Sequence, residues 1–164
     1  MFVEDLIGNT PLVEVRHINT NPNVKIYCKL EGQNPGGSVK DRAAYGMISG
    51  ALKRGDIKKG DKLVEATSGN TGIALAMISR LLGLEMNLVM PDSATAERVK
   101  SMEAYGAKVI LTPAKQTIEY SREVAEEMSS RQSCAPQTRS RCHCAPRRRS
   151  STAPADGAPC IWRT

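Results

Sequence analysis

The chain has 164 residues and a formal charge of +6, a length suited to one domain with its own hydrophobic core. Nowhere does it hold about 18 consecutive apolar residues, and it opens on Glu4 and Asp5 rather than on a basic leader, so a membrane span is excluded and a cytoplasmic protein is expected. The charge is concentrated at one end: residues 129–164 carry seven arginines and a single acid, Asp156, leaving 16 bases and 16 acids in a neutral body of residues 1–128.

In chain order, two short strands are predicted first, over residues 11–16 and 24–30, separated by the turn-forming cluster Asn19-Thr20-Asn21-Pro22-Asn23. His17, at a polar join, is given no role. Cys28 lies in the second run, where an isolated thiol is expected to act as a small buried hydrophobe. The other cysteines, 134, 142, 144 and 160, fall in the tail, and no disulfide framework follows. A helix is predicted over residues 38–54, because Ala43, Ala44, Met47, Ile48, Ala51 and Leu52 recur at helical spacing. Ser38 followed by Asp41 fits a capping arrangement and Gly55 a stop, which puts Lys40 in the first turn.

Three strand-plus-helix units follow: strand 62–66 with helix 71–82, strand 85–90 with helix 94–104, and strand 108–111 with helix 115–128. Each connection is long enough for a crossover helix, so the strands are expected to be parallel, giving an α/β fold with a parallel sheet and flanking helices. The helix over 71–82 is apolar on nearly every side and must be buried. Tyr105 is expected to pack, and Glu97 with Arg98 to form a solvated helix face. From residue 129 onward there is no Leu, Val, Phe, Tyr, Met, Lys, Glu or Asn, and a basic segment rich in Pro, Arg and Ser cannot supply a core. Disorder is expected there.

Two motifs carry chemistry. In Asn34-Pro35-Gly36-Gly37-Ser38-Val39-Lys40-Asp41-Arg42 a glycine turn opens into a helix with a lysine in its first turn. The glycines admit a flat ligand, and the positive end of the helix dipole disfavours an ammonium, which favours a nucleophilic amine. The same residues also fit a plain surface helix start. In Glu65-Ala66-Thr67-Ser68-Gly69-Asn70-Thr71-Gly72 a strand end meets the start of the buried helix, where free N–H groups and hydroxyls can take a phosphate or carboxylate. An ordinary capped turn is the alternative, and no lysine follows to make a Walker loop.

Together these motifs resemble the cysteine synthase family of fold-type II pyridoxal-phosphate enzymes, nearest the B-type O-acetylserine sulfhydrylases. Ile7-Gly8-Asn9-Thr10-Pro11-Leu12 is similar to the family's opening signature, Lys29-Leu30-Glu31 with residues 34–42 to its cofactor-lysine segment, residues 67–72 to its asparagine loop, and Met90-Pro91 to a strand end. The resemblance implies that residues 1–128 are the N-terminal part of a tryptophan synthase β-like fold, with 62–128 a mobile small domain. Lys40 would hold pyridoxal phosphate as a Schiff base and shuttle a proton, Asn70 would steady its ring, and Thr67, Ser68, Gly69 and Thr71 would bind the substrate carboxylate. The implied reaction is β-replacement on O-acetylserine by sulfide or a thiol to give cysteine, with a homodimer as the full-length assembly.

Family members are about twice as long, and their later half supplies the phosphate-binding loop. Weak or no activity is therefore expected of this chain, and residues 129–164 read as a shifted-frame or foreign tail. Cystathionine β-synthase shares a similar lysine segment and serine or threonine dehydratases share the fold, but the residues about Lys40 are nearer the B-type synthases. A rival function of another class is non-specific nucleic-acid binding through Arg139, Arg141 and Arg147-Arg148-Arg149, which no aromatic ladder supports. Cys134, Cys142, His143 and Cys144 lack standard zinc spacing, and no metal is expected.

Overall fold

A computed structural model describes residues 1–132 and 162–163. After a short 3-10 turn over Val3–Leu6 comes an antiparallel hairpin of β1 (Leu12–Glu14) and β2 (Tyr27–Lys29), with Val13 opposite Cys28. Helix α1 (Lys40–Arg54) follows, and then β3 (Lys62–Ala66), α2 (Asn70–Leu81), β4 (Glu85–Pro91), α3 (Ala96–Ala104), β5 (Lys108–Thr112) and α4 (Ile118–Gln132). The predicted α/β architecture is present: β3, β4 and β5 are parallel in the order β5-β4-β3, with Lys62 opposite Glu85 and Asn87 opposite Lys108.

Strands β3 and β4 are buried on both faces, and period-two alternation sorts their side chains between two cores. Leu63, Met86, Leu88 and Met90 join Ala44 and Ile48 of α1 and Leu75 and Ile78 of α2 on one face. Val64, Ala66 and Val89 meet Ala125 of α4 on the other. This division follows from connectivity, because successive right-handed crossovers from β3 to β4 to β5 put α2 and α3 on the same side and leave the opposite side to α4. Thr112 and Ser121 hydroxyls share a buried hydrogen bond of 2.8 Å that ties β5 to α4.

Helix α1 starts two residues later than the residue periodicity implied. Ser38 stays outside it and accepts the Lys40 N–H at 3.2 Å, while Asp41 turns its carboxylate to Gly36 instead of completing a capping box. At the far end Gly55 has φ +78°, and the next N–H, of Asp56, bonds the Ala51 carbonyl at 3.0 Å, the left-handed closure a glycine permits. Helix α2 is as buried as its composition demanded, with Ala74, Leu75, Ala76 and Ile78 at 1% exposure or less. Gly72, in its first turn, leaves room for Met102 and Thr67, since a Cβ there would lie 2.8 Å from the methionine methyl.

Two features differ from expectation. The hairpin is exposed on every residue of both strands, so Cys28 is an exposed thiol rather than a buried one, because nothing among the described residues covers either face. Of fourteen exposed large apolar side chains among the described residues, ten precede Cys28, which confines the core to residues beyond the hairpin. Within the segment expected to be disordered, α4 continues through Gln132, and a sixth strand, β6 (Trp162–Arg163), pairs antiparallel with β3. The helix propagates by adding one bond per residue, and the open edge of β3 offers unpaired backbone groups to a strand. The tail cysteines, His143, Arg139, Arg141 and Arg147–Arg149 lie outside the described residues. Among those described, no helix is long and apolar enough to cross a membrane.

Candidate active site

Lys40 is the first residue of α1 and its side chain is exposed. The turn before it is held from within: Asn34 is buried and its carbonyl accepts the Gly37 N–H at 2.8 Å, while the Gly36 N–H bonds the Asp41 carboxylate. Gly36 is required by packing, because a Cβ would sit 2.5 Å from Asp41 Oδ1. Gly37 is required by conformation, with φ +81° and open space where a side chain would be. Asp41 is fully buried, its Oδ1 has no partner among the described residues, and burial raises its pKa despite the bond from Gly36.

The second motif joins β3 to α2. Thr67 remains tied to the sheet, its N–H on the Val89 carbonyl at 3.1 Å, and Ser68 and Gly69 lead to Asn70, the first helical residue. Gly69 is extended and no side chain caps the helix. The start of α2 is therefore an uncapped positive helix end edged by Thr67, Ser68 and Thr71, which can take an anionic group. The structure places Lys40 and Asn70 at the first residues of two helices, and those helices pack against each other.

Glu65, just before this loop, has a buried Oε2 without a partner among the described residues. Burial is the leading cause that lifts its pKa to about 7, opposed by the Ala66 N–H and the Arg122 charge. Unfolded, the carboxyl returns to the ordinary range near 4.5. The folded state thus binds the extra proton, so the contribution of this one carboxyl to stability is most favourable below pH 4.5 and is lost as pH rises through about 7. Glu65→Gln is expected to raise the urea midpoint at pH 8 and to leave it nearly unchanged at pH 4. Equal midpoints at pH 8 would show that the carboxyl ionises without cost.

A polar cluster unread in the sequence ties the lysine segment to the N-terminus. Arg42 donates through Nε and Nη2 to the two Glu31 carboxylate oxygens, both at 2.9 Å, and Nη2 also reaches Thr10 Oγ1 at 3.1 Å. Thr10 Oγ1 donates to Glu31 at 2.9 Å, Asn34 Nδ2 donates to Glu31 at 2.9 Å, and Asn34 Oδ1 accepts the Gly8 N–H at 2.8 Å. The Arg42 hydrogen bond is the main cause that takes the Glu31 pKa down to about 2, and Glu31 in turn raises that of Arg42. Its residue types were visible in the motifs, but the sequence gives no sign that positions 21 to 32 apart meet. An open concavity of about 410 Å³, lined by Asp5, Gly8, Thr10, Gln33 and Pro35 among others, lies at the N-terminal turn and includes none of the predicted site residues.

The structure thus offers a parallel α/β sheet with an exposed lysine at one helix start and a small-polar loop at another, and at the ends of such strands ligands commonly bind. The pyridoxal-phosphate dependent enzyme family matches residues 3–141, and the chain belongs to it. It is 54% identical over 129 residues to cysteine synthase B of Escherichia coli K12, a match spanning 79% of this chain and 43% of that protein. A crystal structure of cysteine synthase from Entamoeba histolytica superposes with a TM-score of 0.76 at 37% identity, covering 80% of this chain and 40% of that one. An O-acetylserine dependent cystathionine β-synthase from Helicobacter pylori gives 0.71 at 37% identity over 79% and 43%. The chain thus spans about four-tenths of the length of these relatives.

Proposed function

We propose that this chain is the cofactor-lysine portion of a cysteine synthase, which replaces the β-acetoxy group of O-acetylserine with sulfide or a thiol to give cysteine. The observation that carries this reading is the pairing of an exposed first-turn lysine on α1 with an uncapped, hydroxyl-edged start of α2 on a packed neighbour. The residues present fit pyridoxal phosphate: an accessible primary amine for its aldehyde, and glycine-lined backbone with open space at Gly37 for a flat ring. When bound, that cofactor supplies an electron sink for charge at the substrate's α-carbon.

The chain's own groups supply the rest. Lys40 would hold the cofactor through Nζ, and its amine would take the proton from the substrate's α-carbon. Asn70 steadies the ring. Thr67, Ser68, Gly69 and Thr71 bind the substrate carboxylate with hydroxyls and backbone N–H groups, where the helix dipole favours negative charge. Similarity to cysteine synthases at about half identity supports this substrate over the dehydratase and cystathionine-forming alternatives. The test is to load the purified chain with pyridoxal phosphate, add O-acetylserine, and follow acetate release and then cysteine formation with sulfide. Because the chain spans about four-tenths of its relatives' length, weak acetate release at most is expected, and any release should depend on Lys40; release that persists in Lys40→Ala would set the reaction aside.

A further inference from the structure

We propose that Arg42 is a positioning residue, whose guanidinium, locked on Glu31 and Thr10, clamps the loop before Lys40 onto the Gly8–Thr10 turn and so fixes where the Lys40 amine stands. The proposal rests on the reading of Lys40 as the cofactor lysine and adds what holds it in place.

Three separate stretches of chain meet at the clamp: Gly8 to Thr10, Glu31 to Asn34, and Arg42. Glu31 is the hub, accepting from Arg42 Nε and Nη2, from Thr10 and from Asn34, so its two oxygens are saturated by four donors. The bidentate fork fixes orientation as well as distance, which a point charge cannot do. Arg42 also lies flat against the chain at Gly8, where φ is +89° and a Cβ would be 2.8 Å from Nη1. Asn34 carries the constraint onward, since its side chain holds Gly8 and its carbonyl holds Gly37.

Successive residues of a helix are about 100° apart, so Lys40 and Arg42 project in nearly opposite directions from α1. Arg42 therefore acts through the helix, by fixing the rotation of its first turn. The Gly36 bond to buried Asp41 holds the same loop from the helix side. Side chains of Arg42 and Glu31 keep 38% and 23% of their exposure, and ion pairs this open to solvent contribute little to global stability. The convergence of donors is therefore best explained by placement of the loop.

The test compares the full chain as wild type, Arg42→Lys, Arg42→Met and Glu31→Gln. Three quantities are read: amide hydrogen exchange at Gly8 and Gly37 without added ligand, the thermal midpoint, and the affinity for pyridoxal phosphate from its visible absorbance band. Expected are exchange at least tenfold faster in every variant, a midpoint within a few degrees of wild type, and affinity at least tenfold weaker. Arg42→Lys should do no better than Arg42→Met, because an ammonium cannot span both carboxylate oxygens. Unchanged exchange would overturn the clamp. Affinity indifferent to Arg42 and Glu31, with wild type giving a clear band, would overturn the proposal alone. A midpoint collapsing in parallel with affinity would make the cluster merely structural and overturn it as well. A wild-type chain without a band would overturn the Lys40 reading and this proposal with it. Glu31→Gln preserves shape and one acceptor, so the test stands even if the Arg42 variants fail to fold.

Discussion

In the Lys40→Ala chain, the visible absorbance band that pyridoxal phosphate gains on binding to the wild type is expected to disappear entirely. The effect is all or none because the band requires a covalent link to an amine, and alanine has none. Other lysines are no substitute: Lys25, Lys29, Lys53 and Lys62 do not open a helix. Borohydride reduction before proteolysis makes the measurement specific, since the label is then recovered on one peptide. Recovery on the peptide containing Lys40 in the wild type, and on none in the variant, is the expected pattern. Equal labelling of several lysines in both chains would mean that the first-turn amine has no special reactivity.

The second large effect concerns the core. Leu75 is 0% exposed, at the centre of α2 and in the cluster that joins α1, α2 and the sheet. Leu75→Ala removes buried methyl groups and leaves a cavity, at a cost of about 2–5 kcal/mol, much of the roughly 5–15 kcal/mol that stabilises an ordinary domain. The urea midpoint should fall sharply. Leu12→Ala is the control, because Leu12 is 62% exposed on the hairpin and such a change costs no more than about 0.5 kcal/mol. Equal midpoints for the two variants would show that the sheet and α2 do not unfold as one unit.

Much of this arrangement could be read in the residues. The three βα units were legible because their apolar runs have strand length and their helices carry 3.6-residue periodicity, and each observed element falls within a few residues of its predicted span. Lys40 in a first turn followed from the helical spacing and the start expected at Ser38, and the helix expected from Thr71 begins one residue earlier, at Asn70. What could not be read depends on contacts between distant positions. Cys28 has strand neighbours on either side, yet its exposure is decided by what covers the hairpin. Glu31 and Arg42 are eleven residues apart with a turn between them, and no local rule makes them partners. The capping arrangement at Ser38 failed for a related reason: Asp41 had a competing donor in Gly36, and the tighter fit prevailed. The pairing of Trp162–Arg163 with β3 likewise reflects an open sheet edge rather than any local propensity.

The uncovered hairpin has a consequence for handling the protein. Leu12, Val13, Ile26 and Tyr27 of the hairpin are exposed, as are Met1 and Phe2 at 99% and 72%, so this end carries more exposed apolar side chains than the sheet and favours association. Salting-out agents strengthen apolar contact and mild urea weakens it. Precipitation will therefore begin at this end and respond to ammonium sulfate well before the sheet is disturbed. Charged replacements at Leu12 and Tyr27, which touch neither core, are the economical way to keep the chain in solution.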